Sequence, residues 1–150
     1  MYFFVIVLAV VLLDQFSKLL AVKYLQAVTD IPIIPGIFHL HYVENPGAAF
    51  GMLAYKTQFF IISTIFIIFL ILYYRHRIPL SRTLAHFGLA AQLGGAVGNL
   101  IDRVIKGYVI DFFDFRFWPV FNVADTAITI GVALLCWEIL REGTPRGEGA

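Results

Sequence analysis

The sequence predicts a polytopic α-helical membrane protein with four transmembrane helices and a small extracytoplasmic β-rich segment. Three observations predict it. Hydrophobic residues make up 60% of the 150-residue chain and charged residues 14%, with a mean hydropathy of +0.84, too apolar for a soluble domain of this length. The apolar residues gather into four runs, each close to the roughly 20 residues that a span requires. The intervening stretches carry proline, glycine and alternating polar side chains, which suit turns and surface strands. A net charge of +1 offers no basic surface, so no nucleic-acid partner is expected. The single cysteine, Cys136, excludes a disulfide within the chain and reads as a small core residue.

The first span covers about 2–25. No Lys or Arg precedes its apolar opening and no small-residue cleavage site follows, so it reads as a retained helix rather than a signal peptide. Asp14 and Lys18 lie four residues apart on one helix face, within pairing reach, and an ion pair that fixes helix packing is expected.

From Gln26 to Lys56 the chain leaves the hydrocarbon, because Thr29, Asp30, Pro32, Pro35 and Gly36 interrupt any helix. Phe38-His39-Leu40-His41-Tyr42 alternates as a strand on the membrane surface would. That alternation sets His39 and His41 on one face, but two histidines without a third ligand are thin grounds for a metal, and none is expected. The stretch Glu44-Asn45-Pro46-Gly47-Ala48-Ala49-Phe50-Gly51 reads as a turn whose small residues permit close backbone approach. Asn45 there could present both a donor and an acceptor to a peptide backbone.

The second span, about 58–74, is rich in Ile and Phe, carries no charge and reads as lipid-facing. Arg75, His76, Arg77 and Arg82 follow in a short loop with Pro79, a density of cations that marks the cytoplasmic side. The third span, about 83–101, is thinned by Gly88, Gly94, Gly95 and Gly98, and the Gly94/Gly98 spacing suits a closely packed neighbour. It ends in Asn99, Asp102 and Arg103, with Asn99 and Asp102 on one face.

Tyr108 to Phe117 is aromatic and β-prone, and Asp111 sits within it among Val109, Ile110, Phe112 and Phe113. Trp118, with Phe115, Phe117 and Phe121, suits the interfacial aromatic belt. The fourth span, about 121–140, opens Phe-Asn-Val-Ala-Asp, placing Asp125 near a helix N-terminus. The expected organisation is one membrane-embedded domain over 1–141 and a disordered cytoplasmic tail over 142–150. Four spans put both termini on the side of the arginine loop.

By this topology Asp102, Asp111 and Asp125 converge with Asn45, Asn99 and Asn122 at the extracytoplasmic face. Carboxylates at membrane depth are costly, so a cluster of them marks a functional site. Two close carboxylates cannot both ionise easily and share a proton: one activates water while the other protonates a leaving group. That meets the acid–base requirement of peptide hydrolysis without a metal or cofactor. Ser17, Ser63 and Ser81 lie away from the cluster, and neither G-x-S-x-G nor H-E-x-x-H occurs. The residues themselves leave both Asp102 and Asp111 as partners for Asp125.

Five segments, spread in order over nearly the whole chain, carry a resemblance: Asp14 with Lys18, Asn45-Pro46-Gly47-Ala48-Ala49-Phe50, Gly98-Asn99-Leu100-Ile101-Asp102-Arg103, Val109-Ile110-Asp111-Phe112 and Phe121-Asn122-Val123-Ala124-Asp125. In these the chain resembles the bacterial signal peptidase II family. The resemblance implies an aspartyl protease of the inner membrane that cuts just before a diacylglyceryl-modified cysteine of a prolipoprotein. It also implies that Asp111 and Asp125 form the catalytic dyad, with Asn45, Asn99, Arg103 and Asn122 shaping the site. Local chemistry favours the same pair. Asp102 stands beside Arg103, and an acid held ionised is a poor proton donor, whereas Asp111 stands among apolar side chains that favour a shared proton. Asp102 is accordingly assigned to support of Asn99 and Arg103, and Gly47 to the turn beside Asn45. A monomer in contact with membrane lipid is expected. The competing reading is a non-enzymatic transporter or assembly factor that uses the acids to bind protons or ions, but no inverted repeat or broken helix supports it.

Overall fold

The computed structural model describes residues 2–47 and 56–143. Ala48, Ala49, Phe50 and Gly51 of the expected turn, and the tail from 144 onward, lie outside the described residues. Among the described residues four helices are long and apolar enough to cross a membrane: α1 (Tyr2–Leu25), α2 (Thr57–Arg75), α3 (Thr83–Lys106) and α4 (Val123–Gly143). Three strands, β1 (Asp30–Ile34), β2 (Phe38–Asn45) and β3 (Val109–Asp114), form one antiparallel sheet in the order β1-β2-β3.

α3 is the centre of the bundle. It packs against each of the other helices and buries eleven residues, whereas α2 buries Ile71 alone. Its glycines explain this, because helices in lipid associate through close packing rather than through hydrophobic exclusion. A Cβ at Gly94 would stand 2.7 Å from Val10 Cβ, and one at Gly98 would stand 2.5 Å from Asp14 Oδ2, so the Gly94/Gly98 spacing seats α1. Gly95, one residue on, turns towards the Ala124 carbonyl of α4. Neighbouring glycines therefore bring α1 and α4 together at one end of α3, and Ala124 N–H donates to Asp14 Oδ1 at 2.9 Å.

Two helices differ from expectation at their ends. α3 continues five residues past the predicted end at 101, so Asp102 and Arg103 lie within the helix, which stops where Gly107 adopts φ +85° and caps it. The first four residues beyond 101 include two charges, Asp102 and Arg103, which made the helix look shorter than it is. α4 starts at Val123 and runs to Gly143, two residues into the predicted tail. Cys136 is exposed on α4 rather than part of the core, because the inward side of that helix is the one facing the glycines of α3.

The sheet contains one strand more than the sequence suggested. β1 forms across a region full of helix breakers because its residues pair with β2, Ile31 with Leu40 and Pro32 with His39. His39 and His41 do share a face, and the Asp30 carboxylate meets both, 3.0 Å from His39 Nδ1 and 3.8 Å from His41 Nδ1. Arg116 adds a 2.8 Å ion pair to Asp30. Among the described residues no group of three or more His, Cys, Asp or Glu side chains is arranged to hold a metal ion.

β2 and β3 are joined with a bulge. Leu40 pairs with Phe113, yet Val43 rather than Tyr42 pairs with Asp111, and Asn45 pairs with Val109. One extra residue flips every later side chain to the other face. Without it Glu44 would share a face with Asp111; with it Asn45 does.

Candidate active site

The site is built where the end of α3, the end of β2, β3 and the start of α4 meet. Asn45 Nδ2 donates to Asp111 Oδ2 at 2.8 Å, the contact that the bulge makes possible. Asn122 Nδ2 donates to the other oxygen, Asp111 Oδ1, at 2.7 Å. Asn122 is also the residue before α4, and it exchanges two bonds with Asp125: Asp125 N–H donates to Asn122 Oδ1 at 2.9 Å, and Asn122 N–H donates to Asp125 Oδ2 at 3.3 Å. This reciprocal cap satisfies two of the open N–H groups of the helix end and fixes the Asp125 carboxylate there. Asn99 Nδ2 completes the set with a 2.8 Å bond to Asp125 Oδ1.

Asn122 can reach both acids because the chain doubles back between them. Phe113 and Phe121 form an antiparallel bridge, with Phe121 N–H donating to the Phe113 carbonyl at 3.1 Å. Phe38, Phe113, Phe115 and Phe121 stack beneath this return, with centroids 4.9 Å apart for Phe38 and Phe115 and 5.9 Å apart for Phe115 and Phe121. The aromatic run read as an interfacial belt thus also folds the short link between the two acids. Trp118 lines the cavity above them.

A second, ionic layer lies behind the amides. Lys18 Nζ is 2.8 Å from Asp14 Oδ2, 2.9 Å from Asp102 Oδ2 and 2.9 Å from Asn99 Oδ1. Asp102 also meets Lys106 Nζ at 2.9 Å. Two carboxylates and two ammonium groups cancel, which is the condition for burying charge at this depth. The expected Asp14–Lys18 pair therefore forms, but as part of a larger cluster. Asp102, expected to support Asn99 and Arg103, meets Lys18 and Lys106, accepts the Ile110 N–H at 3.3 Å and reaches Asn99 through Lys18. Lys106 stands four residues from Asp102 on α3, the same helical spacing that joins Asp14 and Lys18.

Arg103 turns the other way. Its Nη2 donates to the Gly47 carbonyl at 3.4 Å, and its guanidinium lies 5.0 Å from the Phe60 ring centroid of α2. Asn45 is committed at both ends, since its Oδ1 accepts the Gly47 N–H at 3.0 Å while its Nδ2 holds Asp111. It is therefore engaged within the protein at both ends, with its second Nδ2 hydrogen and second Oδ1 lone pair left for a further partner at the cavity it lines.

Asn45, Gly47, Asn99, Arg103, Asp111 and Asp125 line one cavity of about 290 Å³. Asp111 is 2% exposed. Burial first, and then the like charge of Asp125, push its carboxyl up to about 7, against the donors Asn45 and Asn122, which favour the charged form. A larger cavity of about 480 Å³ lies at the opposite end of α3, but no carboxylate of the described residues lines it, so volume alone does not locate the acid–base chemistry.

An apolar four-helix bundle with acids converging on one cavity defines the class: a polytopic membrane enzyme of aspartic type. The profile of the family described as Signal peptidase (SPase) II matches residues 6–141. The lipoprotein signal peptidase of Moorella thermoacetica is 49% identical over 148 residues, 99% of this chain and 97% of that protein. That of Caldanaerobacter subterraneus subsp. tengcongensis is 51% identical over 93% of this chain and 96% of its own length. A bacterial membrane enzyme solved by the in meso method at 2.3 Å resolution superposes with a TM-score of 0.86 at 32% identity, covering 99% of this chain and 93% of that one. The chain belongs to the signal peptidase II family.

Proposed function

We propose that this protein is an aspartic endopeptidase of the bacterial inner membrane that removes signal peptides from lipid-modified prolipoproteins, cutting before the diacylglyceryl-cysteine. The observation that carries the reading is the attachment of Asp111 and Asp125 to a single residue, Asn122, at the wall of one cavity. The pair holds one proton. The ionised carboxylate takes a proton from water as the water oxygen attacks the scissile carbonyl carbon. The protonated carboxyl then supplies the proton that the departing amine requires. Asn45, Asn99 and Asn122 orient the two acids, Arg103 and Gly47 hold the rim of the cavity, and the Asp14, Lys18 and Asp102 cluster holds the amides. No step calls for a metal or cofactor.

The protein acts as a monomer, with both termini in the cytoplasm, the site towards the extracytoplasmic face, and the lipid chains of the substrate beside α2, α3 and α4. Each buried methylene of those chains adds roughly 0.8 kcal/mol, so a lipidated precursor binds far better than a bare one. Nucleic acid has no role. A transporter or assembly factor is disfavoured by the relatives, which are lipoprotein signal peptidases over nearly their whole lengths. The test is cleavage of a lipidated and an unlipidated precursor by purified protein, with and without EDTA. The reading requires cleavage in EDTA and a strong preference for the lipidated form; equal rates for both forms, or activity lost in EDTA and restored by zinc, would overturn it.

A further inference from the structure

At the end of α3 away from the aspartates, α1, α2 and the start of α3 enclose the cavity of about 480 Å³. Its wall combines apolar side chains such as Phe3, Ile6 and Ile78 with Arg75 and Thr83, and none of the described lining residues is acidic. Arg75 ends α2, and its guanidinium carbon lies 4.2 Å from the Phe3 ring centroid and 4.7 Å from that of Phe4. Ring contacts supply no oxygen acceptor, so they leave guanidinium N–H donors able to meet a further group. Among the described residues no carboxylate or carbonyl takes up those donors.

The neighbouring cations differ. Arg77 donates to Tyr73 Oη at 3.1 Å and does not line the cavity, and Arg141 pairs with Glu138 at 3.3 Å. His86 lines the cavity, but its Nε2 faces the Pro79 carbonyl at 3.3 Å and so holds the loop. Arg75 is thus an arginine steadied by two rings beside a cavity with no acid among its described lining, which is the arrangement of an anion receptor. In a bundle this apolar the anion at hand is a lipid phosphate, and the apolar part of the wall suits the glycerol and the first methylenes of the acyl chains.

We propose that this cavity binds the phosphate headgroup of an acidic phospholipid, with Arg75 gripping two phosphate oxygens through its paired N–H groups and the Thr83 hydroxyl beside them. The site is separate from the aspartates and does not depend on the peptidase reading.

The test is titration of the purified, delipidated full chain with dioleoylphosphatidylglycerol and with dioleoylphosphatidylcholine, read by native mass spectrometry. The acidic lipid should bind about tenfold more tightly or better, a difference of about 1.4 kcal/mol. Arg75→Gln should bring it down to the level of the zwitterionic lipid, while Arg77→Gln should leave the preference intact. Thr83→Trp keeps every cation, fills the cavity and should also remove the preference, which keeps the proposal open to test if Arg75→Gln does not fold. Excess inorganic phosphate should not displace the bound lipid. Equal affinity for the two lipids, equal losses in Arg75→Gln and Arg77→Gln, full binding by Thr83→Trp, or displacement by free phosphate would each overturn the assignment.

Discussion

Asn122 and Asp125 exchange two hydrogen bonds, the Asp125 N–H to the Asn122 side chain at 2.9 Å and the Asn122 N–H to the Asp125 carboxylate at 3.3 Å. The cap that starts α4 is thus also the mount of one acid, and the amide of the same Asn122 holds the other. Asn122→Asp separates these roles, because Asp caps a helix as well as Asn does but cannot donate to Asp111 and adds a third negative charge. The cap survives, but Asn122 is fully buried and its Nδ2 also donates to Asn99 Oδ1 and the Ile110 carbonyl, so the variant should lose about 1–3 kcal/mol or more of unfolding free energy. Its turnover should fall by roughly 10²-fold or more, as the acid–base contribution is lost. Unchanged turnover would remove Asn122 from the site.

Asp111→Asn and Asp125→Asn should each lower turnover by about 10²–10⁴-fold in a protein that folds and still binds the lipidated precursor. Asp102→Asn should instead weaken stability or affinity, because Asp102 meets Lys18 and Lys106 and does not line the cavity. Measured kcat, KM and unfolding of the three variants check this. Near-normal turnover in Asp111→Asn together with its loss in Asp102→Asn would reverse the assignment.

Asp111 is held up to about 7 by burial and by Asp125. Below that pH the pair keeps the proton it shares; above it both carboxylates are ionised and no acid is left for the leaving group. Turnover should therefore decline as pH rises through about 7. Asn45→Ala removes a donor that favours charged Asp111, so it should move this decline to higher pH. A pH–rate profile in which the decline moves to lower pH would contradict the assignment.

Lys18 is 1% exposed and touches Asp14 and Asp102. Lys18→Met leaves Asp14, buried and without its cation, and should destabilise the protein by about 3–5 kcal/mol. The double variant Asp14→Leu/Lys18→Met should recover part of that loss, because both charges are then gone. Unfolding in micelles measures the cycle, and additive losses would show that the pair is not coupled.

The orientation is tested at two exposed positions, Leu80 at one end of the bundle and Trp118 at the other. In a Cys136→Ala background, a membrane-impermeant maleimide applied to intact cells should label Trp118→Cys and spare Leu80→Cys. The opposite pattern would invert the topology.

Much of this protein was legible before any tertiary contact was known. The four apolar helices follow from composition and run length, the Asp14–Lys18 pair from a four-residue helical spacing, and the strand character of residues 38–42 from alternation; each is a local, periodic signal. Asp111 and Asp125 stood out because acids are scarce in so apolar a chain. Other features depended on partners distant in sequence. β1 exists only through its pairing with β2. The bulge that gives Asp111 an amide neighbour rather than Glu44 is a property of two strands together. Asp102 faces Lys18 across 84 positions because glycines on α3 admit α1, and its charge therefore belongs to a buried ionic cluster rather than to the acid pair. Periodicity and residue type determine which elements form and which side chains carry chemistry. Register and close packing, decided only in three dimensions, determine which of those side chains meet.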